Sequence, residues 1–165
     1  MTFVQFAGGF ATLAERKTYL QQHAELLTED AVEVANTLIR GWREKGFDKS
    51  RLVPLRLFRT LLKRAIEAGV ELAFTEAEPS REVTTAVAAL LRADAGDDLL
   101  AILSANRRWL TSPQALGAFN FLRAQYEDDP DKLRSIEACW DSVGMFRDDA
   151  EPDAHRSRNS GNSRT

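Results

Sequence analysis

The chain has 165 residues, 44% of them hydrophobic and 28% charged, a balance that suits one ordinary globular domain or two small halves packed together. Its net charge of −3 gives no general attraction to nucleic acid or to an anionic membrane, and its single cysteine, Cys139, excludes an intramolecular disulfide. Charge breaks the apolar runs too often for a membrane span, and the start lacks the basic and long apolar regions of a secretory signal, so a cytoplasmic location is expected.

Nearly the whole body carries helical rather than alternating periodicity. Thr12-Leu13-Ala14-Glu15 has the form of a capping box and opens a first helix that runs to about Gln22. Thr28 caps the second helix, with Glu29 and Asp30 suited to the positive end of its dipole. Its expected buried stripe is Ala31, Val34, Ala35, Leu38 and Trp42, and Gly46 ends it in a left-handed cap. The third helix carries Leu52, Leu55, Phe58, Leu61, Leu62, Ala65 and Ile66. Pro54 is expected in its first turn, where it costs no backbone hydrogen bond. Gly69 stops this helix, and Val70 to Ala77 form another short turn of helix.

Pro79-Ser80 separates two halves, and Ser80 caps a helix bearing Val83, Val87, Leu90 and Leu91. Asp97 and Asp98 mark the next start, before Leu99, Leu100, Ile102 and Leu103. Ser112-Pro113 then opens a helix with the stripe Ala115, Ala118, Phe119, Leu122 and Tyr126. After the acidic turn Glu127-Asp128-Asp129, a last helix shows Leu133, Ile136, Trp140 and Val143, with Gly144 as its expected stop. Residues 148–165 contain no aromatic residue and no Leu, Ile or Val, so they are expected to form a disordered tail.

The two halves resemble each other. Leu20, His23, Leu26, Leu27 and Thr28 are answered by Leu103, Asn106, Trp109, Leu110 and Thr111 at an offset of 83 residues. Ala31, Val32, Val34, Ala35, Leu38 and Trp42 are answered by Ala115, Leu116, Ala118, Phe119, Leu122 and Tyr126 at an offset of 84. One residue has slipped into the loop between. A period of this kind points to stacked helical units, which serve binding more often than chemistry.

The residues of chemistry are sparse. The two histidines, His23 and His155, have no metal-ligand spacing, and no cofactor is expected. His23 is read as a helix-terminal residue, with Asn106 at the matching place in the second half. Cys139 lies among Glu137, Trp140 and Asp141, surroundings that raise a thiol pKa and keep it inert. No nucleophile elbow, phosphate loop or carboxylate pair stands out, so no catalytic residue is assigned and an enzyme is not expected. Arg56, Arg59 and Lys63 share one face of the third helix and form the candidate basic face for phosphates. Phe3, Phe6, Phe10 and Phe74 lie off the best-defined stripes and form the candidate partner surface. Trp42, Tyr126 and Trp140 fall on stripes and are read as core.

The stretch from Glu15 to Thr28, with its Arg16, Leu20, His23, Glu25, Leu26, Leu27 and Thr28, resembles a segment of large bacterial proteins with tetratricopeptide-like repeats and CHAT-type, caspase-like domains. Residues 59–71 resemble the same proteins. This chain departs from the pattern at Ala24, where Pro is common, and across Asn106 to Leu110. The resemblance implies a helical-repeat fold. It carries over no protease activity, because the chain holds no Cys/His pair of that kind.

The expected architecture is all-α, a right-handed stack of about seven antiparallel helices in two degenerate repeats, residues 1–78 and 79–147, packed as one domain. The expected function is protein–protein interaction as a scaffold or adaptor, with a protein, a peptide or a second copy of the chain as partner and no membrane. The competing reading is a nucleic-acid-associated module that uses the basic face of the third helix.

Overall fold

The computed structural model describes residues 12–93 and 99–148. Phe3, Phe6, Phe10, Asp97, Asp98, His155 and the tail beyond Asp148 lie outside these residues. The fold is all-α. Among the described residues the helices are α1 (Leu13–Gln22), α2 (Glu29–Glu44), α3 (Lys49–Ala68), α4 (Val70–Glu76), α5 (Arg81–Leu91), α6 (Leu99–Ala105), α7 (Arg107–Leu110), α8 (Pro113–Tyr126) and α9 (Pro130–Asp148), with a 3-10 turn at Ala24–Leu26. They number nine rather than about seven, because Val70–Glu76 and Arg107–Leu110 are short helices of their own.

Local chemistry sets most of the ends. At α1 the capping box is complete: Glu15 N–H donates to Thr12 Oγ1 at 3.2 Å, and Thr12 N–H donates to Glu15 Oε2 at 2.7 Å. Thr28 accepts from Ala31 N–H, and Ser80 accepts from Val83 N–H. Ser112 holds the N-cap position of α8, yet its hydroxyl donates backward to the Trp109 carbonyl. Gly46 and Gly69 both have positive φ (72° and 89°), which L side chains rarely adopt, and they end α2 and α3.

Two ends differ from expectation. Asp48 starts α3 a turn earlier than the apolar stripe suggested, so Pro54 is its sixth residue and the Ser50 carbonyl loses its helical donor. Gly144 does not stop α9, which continues to Asp148. Glycine costs a helix interior about 1 kcal/mol, and packing beyond it offsets this. Phe146 lies against the second core, with Arg107 stacked 5.8 Å from its ring.

The buried side chains form two clusters. The first draws on α1 to α4, with Leu20, Val32, Leu55, Phe58 and Leu62 at or near zero exposure. The second draws on α5 to α9, with Val83, Leu90, Leu110, Phe119 and Val143. Trp42 packs partly buried against the first, and Tyr126 and Trp140 against the second. On α2 the buried set is Ala31, Val32, Ala35 and Ile39, while Val34 is 48% exposed, a rotation from the expected stripe. Residues matched between the halves are buried together at Leu20 and Leu103, Ala31 and Ala115, and Ala35 and Phe119. The slipped residue falls at the cap: His23 and Asn106 are 83 apart, while the N-caps Thr28 and Ser112 are 84 apart.

The joint between the clusters is made by α8, which packs on both α3 and α4. Gly117 makes the approach close. A Cβ there would lie 1.7 Å from the Glu76 carbonyl oxygen, so no other residue fits without moving α8 off the end of α4. The linker is held to the same helix, since Ser80 N–H donates to Gln114 Oε1 at 3.1 Å.

Candidate functional site

Because Gly117 draws α8 in at the end of α4, the two helices, together with α1 and α3, enclose a cavity of about 290 Å³. Helical spacing selects the wall from each element. Leu13 and Arg16 come from α1, and Leu57, Thr60, Leu61 and Arg64 form one face of α3. Ala73, Glu76 and Ala77 close the α4 side, and Gly117, Asn120 and Phe121 come from α8. Most of the wall is apolar. Phe121 stands at the mouth, 47% exposed.

Three ionised groups line this space. Arg64 donates to Glu76 through two nitrogens, Nε to Oε2 at 2.7 Å and a terminal nitrogen to Oε1 at 2.9 Å. That fork-on-fork pair neutralises the two groups, Glu67 Oε2 lies a further 3.5 Å from Arg64 on its exposed side, and the Glu76 hydrogen bond is the main reason that Arg64 stays above its ordinary pKa. Arg16 is different. It is only 7% exposed, its Nε has no hydrogen-bond partner, and among the described residues no carboxylate lies within ion-pair distance of it. Burial pushes its pKa down from the ordinary value. Since Arg64 and Glu76 neutralise each other, the cavity carries one uncompensated positive charge. Asn120 lines the same cavity: its Oδ1 accepts from Arg123 at 3.1 Å, and its amide nitrogen has no acceptor among the described residues.

The basic face expected on α3 does not form. Arg56 is fully buried, with one terminal nitrogen 2.6 Å from Asp128 Oδ2 and the other 3.4 Å from the Ala124 carbonyl. Its Nε lies 3.6 Å from Glu127 Oε2, close enough for charge attraction but too far for a hydrogen bond. Arg59 donates to Glu127 Oε2 at 2.7 Å, and Arg43 from α2 reaches Asp128 Oδ1 at 2.8 Å. Three arginines of the first half thus grip the acidic turn that follows α8. Only Lys63 of the expected trio remains exposed. Asp128 is pushed up by partial burial, but the Arg56 hydrogen bond and the charges of Arg56, Arg43 and Lys49 outweigh this and hold it below the ordinary carboxylate range.

The expected partner surface fares no better in its one described member. Phe74 is 4% exposed and belongs to the first core, because Gly69 turns α4 back onto α3. Sequence reasoning missed the cavity and Arg16, which it met only as part of a family-like stretch. The available signal was an arginine one turn before Leu20 on the buried side of a short helix, with no acid at a helical spacing that puts one beside it.

The remaining candidates have ordinary surroundings. His23 Nδ1 lies 2.8 Å from Glu25 Oε1, and its ring stacks obliquely on Tyr19 at the end of α1. Asn106 takes the matching place and donates to the Ile102 carbonyl at 2.9 Å. Cys139 is partly buried, and burial raises its thiol pKa. Among the described residues no group of His, Cys, Asp and Glu is arranged to hold a metal, and no helix is long and apolar enough to cross a membrane. Comparison with protein-family models, with curated proteins and with solved structures finds no match.

Proposed function

We propose that the chain is a non-catalytic helical-repeat interaction module, a scaffold or adaptor that receives a protein or peptide partner at the cavity between α1, α3, α4 and α8. The observation that carries this reading is Phe121. A large aromatic side chain, nearly half exposed, borders an apolar cavity built from both halves of the molecule. Aromatic anchors at such rims contribute most of the binding energy at protein interfaces, because they bury a large area with few rotatable bonds. The uncompensated charge of Arg16 gives the site a polar preference that a purely apolar patch lacks.

The nucleic-acid reading loses its basis, since Arg56 and Arg59 are engaged with Glu127 and Asp128. The test is affinity capture of the tagged chain from its host, compared across wild type, Phe121→Ser and a control, Val34→Ser, altered at an exposed site outside the cavity wall. A stoichiometric protein partner lost only with Phe121→Ser supports the proposal. Partner recovery unaffected by Phe121→Ser, or recovery of nucleic acid alone, rejects it. Retention of a second copy of the chain, sensitive to Phe121, makes the partner a sister subunit.

A further inference from the structure

Arg16 raises a question that the interaction reading does not answer. An arginine cannot shed its proton in a protein, so it cannot escape burial by neutralising itself. Removing a cation from water costs several kcal/mol unless an anion and hydrogen-bond acceptors are supplied. Arg56 in the same molecule shows the usual solution, with two carboxylates and a backbone carbonyl around it. Arg16 has no such surroundings among the described residues, yet it lines an open space.

From this contrast we infer that the cavity is a receptor for a single carboxylate carried on an apolar body, with Arg16 as the anion's partner. The inference rests on the cavity being the contact site proposed above, and it names what that site recognises. The neutral Arg64–Glu76 pair leaves room for one negative charge rather than two, which disfavours a phosphate dianion. Asn120 supplies a second donor to a carboxylate's other oxygen or to its own amide neighbour. Leu13, Leu57, Leu61 and Phe121 would face the hydrocarbon part. A bare Asp or Glu side chain would leave that apolar wall unfilled. The chemistry is met by a free organic acid or by the terminal carboxylate of a polypeptide whose last residue is apolar.

Calorimetry on the full chain separates these sources. The probes are hexanoate and 3-phenylpropionate with their primary amides, and a hexapeptide ending in leucine as the free acid and as the C-terminal amide. Binding of the acids, with the amides at least about tenfold weaker, is expected, since the discrimination comes from a desolvated charged pair. Arg16→Gln should weaken acid binding by about thirtyfold or more, and Arg16→Lys by less, because it keeps the charge but not the fork. If Arg16→Gln fails to fold, the acid–amide comparison in wild type and Arg16→Lys decides alone. Acids and amides binding equally, no binding of either at millimolar concentration, or Arg16 variants binding like wild type would each overturn the inference. Peptide amides binding as well as acids would leave the protein-partner reading standing while this one falls. Free acids binding without peptides would do the reverse.

Discussion

Two arginines of this molecule are buried to nearly the same degree and live opposite lives. Both leave Nε without a hydrogen bond, but Arg56 sits at the joint between the two halves with Asp128, Glu127 and the Ala124 carbonyl around it, while Arg16 borders a cavity with no carboxylate of the described residues in ion-pair distance. The first is a fastener and the second a reagent in waiting. What separates them is α8. The turn that follows it delivers two carboxylates to Arg56, while its middle, at Gly117, Asn120 and Phe121, delivers none to Arg16. A buried charge with its partners present tells of assembly. One without them points to a ligand.

The largest effect should come from breaking both environments at once. Gly117→Ala drives a methyl into the Glu76 backbone and must move α8 away from α4. Backbone cannot step aside as a flexible side chain does, so the loss should reach the upper end of overpacking costs, about 3 kcal/mol. Chemical denaturation of the variant against wild type measures it. An unchanged midpoint would mean that α8 is not seated at Gly117 as described.

Next come the arginines themselves, and here the comparison predicts opposite signs. Arg56→Met takes the buried partner from Asp128 and Glu127, which keep only Arg43 and Arg59, and should cost about 2–3 kcal/mol, near the low end for breaking a buried pair because those partners remain and Asp128 is one third exposed. Arg16→Met removes a charge that no described residue compensates, and it places an apolar side chain in a lining that already includes Leu13, Leu57 and Leu61. It should be neutral or stabilising by about 1 kcal/mol. Equal destabilisation by the two substitutions would erase the distinction on which the ligand inference depends.

How much of this could be read from the chain follows from which interactions are local. The Thr12–Glu15 box, the Thr28 and Ser80 caps and the turns at Gly46 and Gly69 depend on residues within a few positions, and all were legible. So was the apolar stripe of α3, which repeats at helical spacing. Arg56 was not legible, because its burial depends on α8 covering the other side of α3, an encounter between residues 68 and 72 positions apart. A charged stripe defaults to solvent until an opposing acidic turn is brought to it. Glu127-Asp128-Asp129 is that turn, and its charge complements the arginines of α3. Phe74 failed for a related reason: α4 is too short for a stripe to declare its inner face. The cavity was illegible in principle, since it is a gap left by four helices.

Acid titration separates the two arginines as well. The carboxyl of Asp128 has a folded-state pKa below its unfolded one, so the folded chain binds fewer protons there. Its contribution to stability is therefore complete above the ordinary carboxylate range and is lost as pH falls through the lowered folded value. Glu137, held low by its Arg123 hydrogen bond, adds in the same direction. Wild type should lose stability below about pH 4, and Arg56→Met should lose less, having already lost the Arg56 share of the Asp128 part while Arg43 and Lys49 keep the rest. Arg16→Met should follow the wild-type curve, because Arg16 has no described carboxylate to release. Parallel melting curves for wild type and Arg56→Met would show that the Asp128 pair contributes nothing.

The smallest expected effect on folding is the most informative for function. Phe121→Ser removes an aromatic ring that is nearly half in water, and substitutions at exposed positions change stability by about 0.5 kcal/mol or less. Phe121 also stands one residue from Asn120 and four from Gly117, and it lines the same cavity as Arg16. A residue kept only for packing would show its loss in the melting curve and nowhere else. A residue kept at the mouth of a binding site would show it in ligand affinity while the melting curve stays in place. Parallel melts with weakened binding would put Phe121 on the side of Arg16, among the residues that fold leaves unfinished. A large drop in stability would instead put it on the side of Arg56, as part of the joint, and the mouth of the cavity would then be a seam between the two halves.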